Sequence, residues 1–160
     1  MKPRFIIAIK VITRFISADR ISESVRLKPS HVLKRNESNH LGKKWRKTSW
    51  HYQRFGPKSG QASKLVLDAL SNWPRDAARK LKEIDQECEV FLIVSCVHDT
   101  YTASCVLSHE AISAAAERGM SILFSSYPGS EMEAVVPRPA GVNSRRRRGA
   151  GLANPQHARA

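Results

Sequence analysis

Hydrophobic positions along this chain follow two periods, and the switches between them mark its elements. Residues 4–12 alternate Phe5, Ile7, Ile9 and Val11 against Ile6, Ala8, Lys10 and Ile12, apolar on both parities, which predicts a mostly buried strand. A short helix is expected from a cap at Ser17 or Asp19 to about Leu27, with Ile21 and Val25 one turn apart on its inner face. Pro29 ends it by disfavouring a helical conformation at Lys28. The polar stretch that follows, up to Arg46, holds Asn36, Asn39, His40 and Gly42 and reads as a loop, of a length that is usually functional or disordered. Residues 47–55 form a second strand, with Trp50 and Tyr52 on one face and Ser49, His51 and Gln53 on the other. The period then lengthens. A helix over about 61–73 carries Leu65, Val66, Ala69, Leu70 and Trp73 in one stripe, Pro74 breaks it, and a further helix spaces Ala77, Ala78, Leu81 and Ile84.

The stretch 88–107, CEVFLIVSCVHDTYTASCVL, is a doubly apolar run, then a polar break at His98-Asp99-Thr100, then a clean alternation of Tyr101, Ala103, Cys105 and Leu107 against Thr102 and Ser104. That pattern predicts a β-hairpin whose first strand is covered on both faces. Ser108 caps a last helix with Ile112, Ala115 and Ala116 inward and Gly119 at its end, and residues 120–127 form the closing strand. After Tyr127, Pro and Gly punctuate a segment without period, so residues 1–128 read as one domain and 129–160 as a disordered basic tail.

The resulting order is β-α-β-α-β-β-α-β: an α+β fold with a mostly antiparallel five-stranded sheet and helices mainly on one face. From the second strand onward it is the βαββαβ order of the ferredoxin-like motif. That arrangement leaves the doubly apolar strand at an edge, unless the first strand of the chain pairs beside it.

The succession FIIAIKVITRFISADRISESVRLKPSHV, a polar loop, SWHY, CEVFLIVSC and LSHEAISAAAERGMSILFSSYP resembles the uncharacterised bacterial domain family DUF4279. The matching features are Pro29-Ser30, Gly42, Trp50, Leu107-Ser108, Glu110 and Tyr127, within residues 4–127. The resemblance implies neither an activity nor catalytic residues.

Charge changes the picture more than composition does. The net charge is +13; residues 26–58 carry ten Lys or Arg against Glu37 alone, and residues 129–160 carry six Arg against Glu131 and Glu133. Lys43, Lys44, Arg46, Lys47 and Arg54 interleave with Trp45, Trp50, Tyr52 and Phe55, a mixture that suits single-stranded nucleic acid because cations meet phosphates while rings stack on bases. The plainer alternative packs Trp50 and Tyr52 on the 61–73 helix, leaves Trp45 alone free and makes the lysines a solvated face. His31, His40 and His51 lie in the same segment and read as solvated. Arg145, Arg146, Arg147 and Arg148 in the tail offer bidentate forks to any polyanion but specify none.

Other chemistry finds little support. Cys88 and Cys96 sit roughly 26 Å apart along one extended strand, too far to share a metal ion. Cys105 and His98 lack ligand spacing, and three cysteines without a framework read as buried reduced thiols. No phosphate loop, GxSxG, HExxH or paired carboxylates occur. The opening MKPRFIIAIKVITRF is interrupted by Lys10 and Arg14 and lacks a small-x-small cleavage site, so it reads as a strand. The expectation is a cytoplasmic, non-catalytic binding or protein-interaction module with an unidentified protein partner, and without cofactor, metal or membrane contact. The alternatives are sequence-independent nucleic-acid binding through residues 26–58 and the tail, and an immunity-type inhibitor that blocks a partner protein.

Overall fold

The computed structural model describes residues 4–56, 61–98 and 105–128. In chain order the elements are β1 (Arg4–Thr13), α1 (Ala18–Val25), β2 (His31–Leu33), β3 (Thr48–Phe55), α2 (Ala62–Ser71), α3 (Ala77–Ile84), β4 (Glu89–His98), α4 (His109–Glu117) and β5 (Ser121–Pro128). The fold is α+β, a five-stranded mixed sheet in the order β2-β3-β1-β4-β5 with four helices among the described residues. The β1 strand lies at the centre, antiparallel to both β3 and β4, while β5 runs parallel to β4.

Three sequence expectations change here. The hairpin expected after the doubly apolar strand is not made with β4, whose two edges are taken by β1 and β5; residues 101–104 lie outside the described residues, and Cys105–Leu107 adopt no strand. The neighbour of β4 is instead β5, reached through α4, so the ferredoxin-like βαββαβ order does not hold. A parallel partner needs a crossover of this kind. The fifth strand is the short β2, paired with β3 inside the stretch read as loop. The expectation that β1 pairs beside the doubly apolar strand is met, from Arg4↔Val97 to Ile12↔Glu89. The proposed tail, residues 129–160, lies outside the described residues.

Sequence and caps explain the helices. Ser17 and Ser108 accept from the backbone N–H of Arg20 and Ala111, satisfying helix donors that lack an intrahelical partner. Arg26, in a left-handed conformation, stops α1 before Pro29 is reached. In α4 the buried residues are Ala111 and Ala115; Ile112 and Ala116, expected inward, are exposed.

Strand parity divides the sheet into two unlike faces. Phe5, Ile7, Ile9 and Val11 join Trp50, Leu92, Val94 and Cys96 in a core that also takes the buried residues of all four helices. Trp50 sits edge-on to Trp73 at 6.0 Å, and its indole N–H donates to Ser22 of α1 at 3.0 Å. It therefore packs against α1 and against Trp73, the last residue of the helix expected over 61–73, which lies just beyond the end of α2. Ile6, Ala8, Phe91 and Ile93 point the other way and take no part in this core. Among the described residues no helix is long and apolar enough to cross a membrane.

Candidate polyanion interface

The polar stretch between β2 and β3 is not an open loop. Asn36 N–H donates to the Trp45 carbonyl at 2.8 Å, Trp45 N–H to the Glu37 carbonyl at 3.0 Å, and Asn39 N–H to the Lys43 carbonyl at 2.8 Å. A bridge between Ser38 and Lys44 completes a two-stranded ribbon that extends the β2–β3 pair. At its tip the Asn39 side chain accepts from Leu41 N–H and Lys43 N–H, both at 2.9 Å. Gly42, at φ +73°, makes the left-handed step that a side chain would resist.

The ribbon carries Arg46 and Lys47 back towards the sheet, where they meet Arg14 and Arg35. These four cations and Asn36 line one cleft of about 320 Å³. They converge from separate segments: Arg14 follows β1, Arg35 follows β2, and Arg46 and Lys47 precede β3. Phe15 stands beside them with 66% of its surface exposed. The guanidinium carbons of Arg14 and Arg35 lie 5.5 and 5.9 Å from its ring centre, a geometry in which each charge meets the ring's negative face. Arg35 also donates to the Arg14 carbonyl at 3.0 Å.

Beneath the cleft lies a buried carboxylate. Asp85 Oδ2 accepts from the Thr13 hydroxyl, from Arg14 N–H at 2.8 Å and from Phe15 N–H at 3.2 Å, while Oδ1 accepts from Glu87 N–H at 3.0 Å. Burial alone would raise its pKa, but these donors favour the charged form and hold it below the usual carboxylate value. Asp85 thus fixes the turn that presents Arg14 and Phe15. Among the described residues, Arg14, Arg35 and Arg46 form no ion pair with a carboxylate; Lys47 meets Glu87 at 3.9 Å. That exposed pair contributes little.

The residues singled out in the sequence are only partly gathered here. Arg46 and Lys47 line the cleft, and Trp45, Lys44 and Lys43 lead from it along the ribbon to its tip. Arg54 is elsewhere: it lies towards the far end of β3, donating to the Tyr52 hydroxyl at 2.7 Å and stacking on that ring. Arg145–Arg148 lie outside the described residues. Sequence reading missed Arg14, Phe15 and Arg35, although the alternation of the first strand, which places Arg14 just past its end, is a signal that could have found Arg14.

His51, expected to be solvated, is half-buried on β3. Its Nε2 lies 2.8 Å from the Ser49 hydroxyl, and its ring is 5.9 Å from that of His31 across the β2–β3 pair. Burial, with the nearby charges of Lys10 and His31, lowers its pKa to about 4. The thiols are disfavoured as nucleophiles. Burial, with help from Asp85, pushes Cys88 up to about 11, and burial raises both Cys96 and Cys105. The two histidines near them bond to serines instead, His98 to Ser126 at 2.7 Å and His109 to Ser113 at 3.0 Å. Among the described residues no three His, Cys, Asp or Glu side chains are grouped to hold a metal ion.

Compared with protein-family models, curated proteins and solved structures, the chain matches none.

Proposed function

We propose that this protein is a non-catalytic module that binds single-stranded nucleic acid without sequence preference, anchoring a phosphate in the cleft of Arg14, Arg35, Arg46 and Lys47. The observation that carries the reading is the convergence of four cations, three of them without a carboxylate partner among the described residues, on one small concavity. Like charges repel when crowded, and an anion bound among them turns that repulsion into attraction. Arginine suits the task because its planar fork grips phosphate oxygens in pairs. The exposed Phe15 ring beside the cleft and Trp45 on the ribbon supply flat apolar surfaces of the kind on which bases stack.

The test is a titration of a labelled single strand across salt concentration. Log affinity should fall linearly with log salt between about 50 and 200 mM. Reversing two cleft charges, Arg35→Glu with Arg46→Glu, should lower affinity at least ~10-fold and flatten the slope by roughly one to two, since each phosphate contact on a single strand contributes about 0.7. Absence of binding at the lowest salt overturns the proposal.

A further inference from the structure

The face of the sheet turned away from the helices is buried along its middle, at Ile6, Ala8 and Ser95, and exposed towards its margins, and its content is unlike that of an ordinary solvated face. Register places Phe91, Lys10, His51 and His31 in one row across β4, β1, β3 and β2. Further along, Ile6 stands between Ser95 and Phe55, and Tyr127 of β5 joins Val97 and Arg4. Phe55 is 51% and Tyr127 39% exposed, and the Arg4 guanidinium lies 5.4 Å above the Phe55 ring. Glu89, at the start of β4, is the one acidic strand residue on this face among the described residues.

Arg14 and Lys47 flank the paired strand ends Thr13 and Thr48, three to four residues beyond the row that holds Lys10 and Phe91. The cleft therefore borders the sheet at the end nearest Lys10 and Phe91. We infer that this face is a base-stacking platform, across which a single strand anchored in the cleft lays its bases on Phe91 and Phe55. This rests on the nucleic-acid reading proposed above. The two rings are four residues apart in row and two strands apart, about 13 Å along the strands and about 10 Å across them. A strand touching both must cross the sheet diagonally, with Lys10 and Arg4 close to its phosphates.

Charge argues against a second copy as the occupant. Two such faces brought together would oppose Arg4 and Lys10 to their own kind, with Glu89 alone to offset them. A polyanion meets the same residues favourably, and stacking accepts every base because each has a π face.

The experiment replaces the rings while keeping apolar bulk, as Phe55→Leu and Phe91→Leu, singly and together. The probe is a labelled oligothymidylate of about 12 nucleotides, within the ~4–16 nucleotide range of comparable sites. Each leucine should weaken binding about 5-fold or more while leaving the salt slope unchanged, because stacking releases no counterions. Phe55 is exposed enough that its variant reports binding even if Phe91→Leu disturbs the fold. If Phe55→Leu binds as tightly as the parent while the Arg35→Glu, Arg46→Glu variant loses binding, the platform is overturned and the cleft stands. If the unaltered protein fails to bind at low salt, both fall.

Discussion

Asp85 keeps its charge inside the protein because four donors converge on its two oxygens, and the cleft depends on that arrangement. Replacing it with Asn removes the charge and leaves at least one donor poorly matched, for a cost of about 1–3 kcal/mol. Two buried groups also set how stability varies with pH, with the same sign. His51 has its folded pKa lowered from 6.5 to about 4, so unfolded chains bind its proton first as the solution acidifies. Its contribution is complete above about pH 6.5 and is lost as pH falls towards 4. The folded pKa of Asp85 lies below 3.8, so its contribution holds above that value and disappears as pH falls further, through the folded pKa. Thermal melting between about pH 8 and 3 should show both limbs, with His51→Gln flattening the upper and Asp85→Asn the lower. A melting temperature that stays level from pH 6.5 to 4.5 would contradict the assignment to His51. Neither role was legible in the sequence. A single acid after a helix and a histidine on an alternating strand both look solvated until the partners, three of the four 70 or more residues away for Asp85, are folded against them.

At the scale of elements, the apolar pattern was a good guide and the polar pattern a poor one. Alternation located β1, β3, β4 and β5, and the helical stripe located α2 and α3 on either side of Pro74, because burial writes itself into the sequence. The β2–β3 ribbon left no such trace. Its pairing is made by backbone groups and by Asn39, with Asn36 and Gly42 in left-handed conformations, so nothing apolar needs to repeat. The pairing of β4 with a following hairpin strand was wrongly expected for a related reason. Alternation records which residues are half-buried but not which strand they meet, and the partner of β4 was a distant parallel strand. Asn39→Ala removes two hydrogen bonds at the ribbon tip. At about 1 kcal/mol each, the amides of Leu41 and Lys43 should exchange roughly 5- to 30-fold faster, with the melting temperature almost unchanged. Unaltered exchange would mean that the ribbon is held by something other than its tip.

At the scale of the molecule, the candidate site was half visible. The excess of cations in residues 26–58 pointed to the right region, and Arg46 and Lys47 lie in the cleft. What the chain order hid is that the end of β1 supplies Arg14 and Phe15, and that Arg35 meets them there. Such convergence is a property of the sheet order rather than of any segment.

That same sheet order has a consequence for how the chain is made. The β1 strand is the spine of the sheet, yet its two neighbours are synthesised later, the second only when residue 98 has been added. At about 5–20 residues per second, roughly 4–17 s pass between completion of β1 and completion of β4. During that interval the nascent chain carries an apolar strand with one edge unsatisfied, a state that invites chaperones or misassembly. Chains stalled on the ribosome with residues 1–88 fully emerged should be digested readily by protease, and those with residues 1–128 emerged should resist. Resistance already at residue 88 would show that β1 finds a stable place without β4, and that the sheet is assembled from its β2–β3 side.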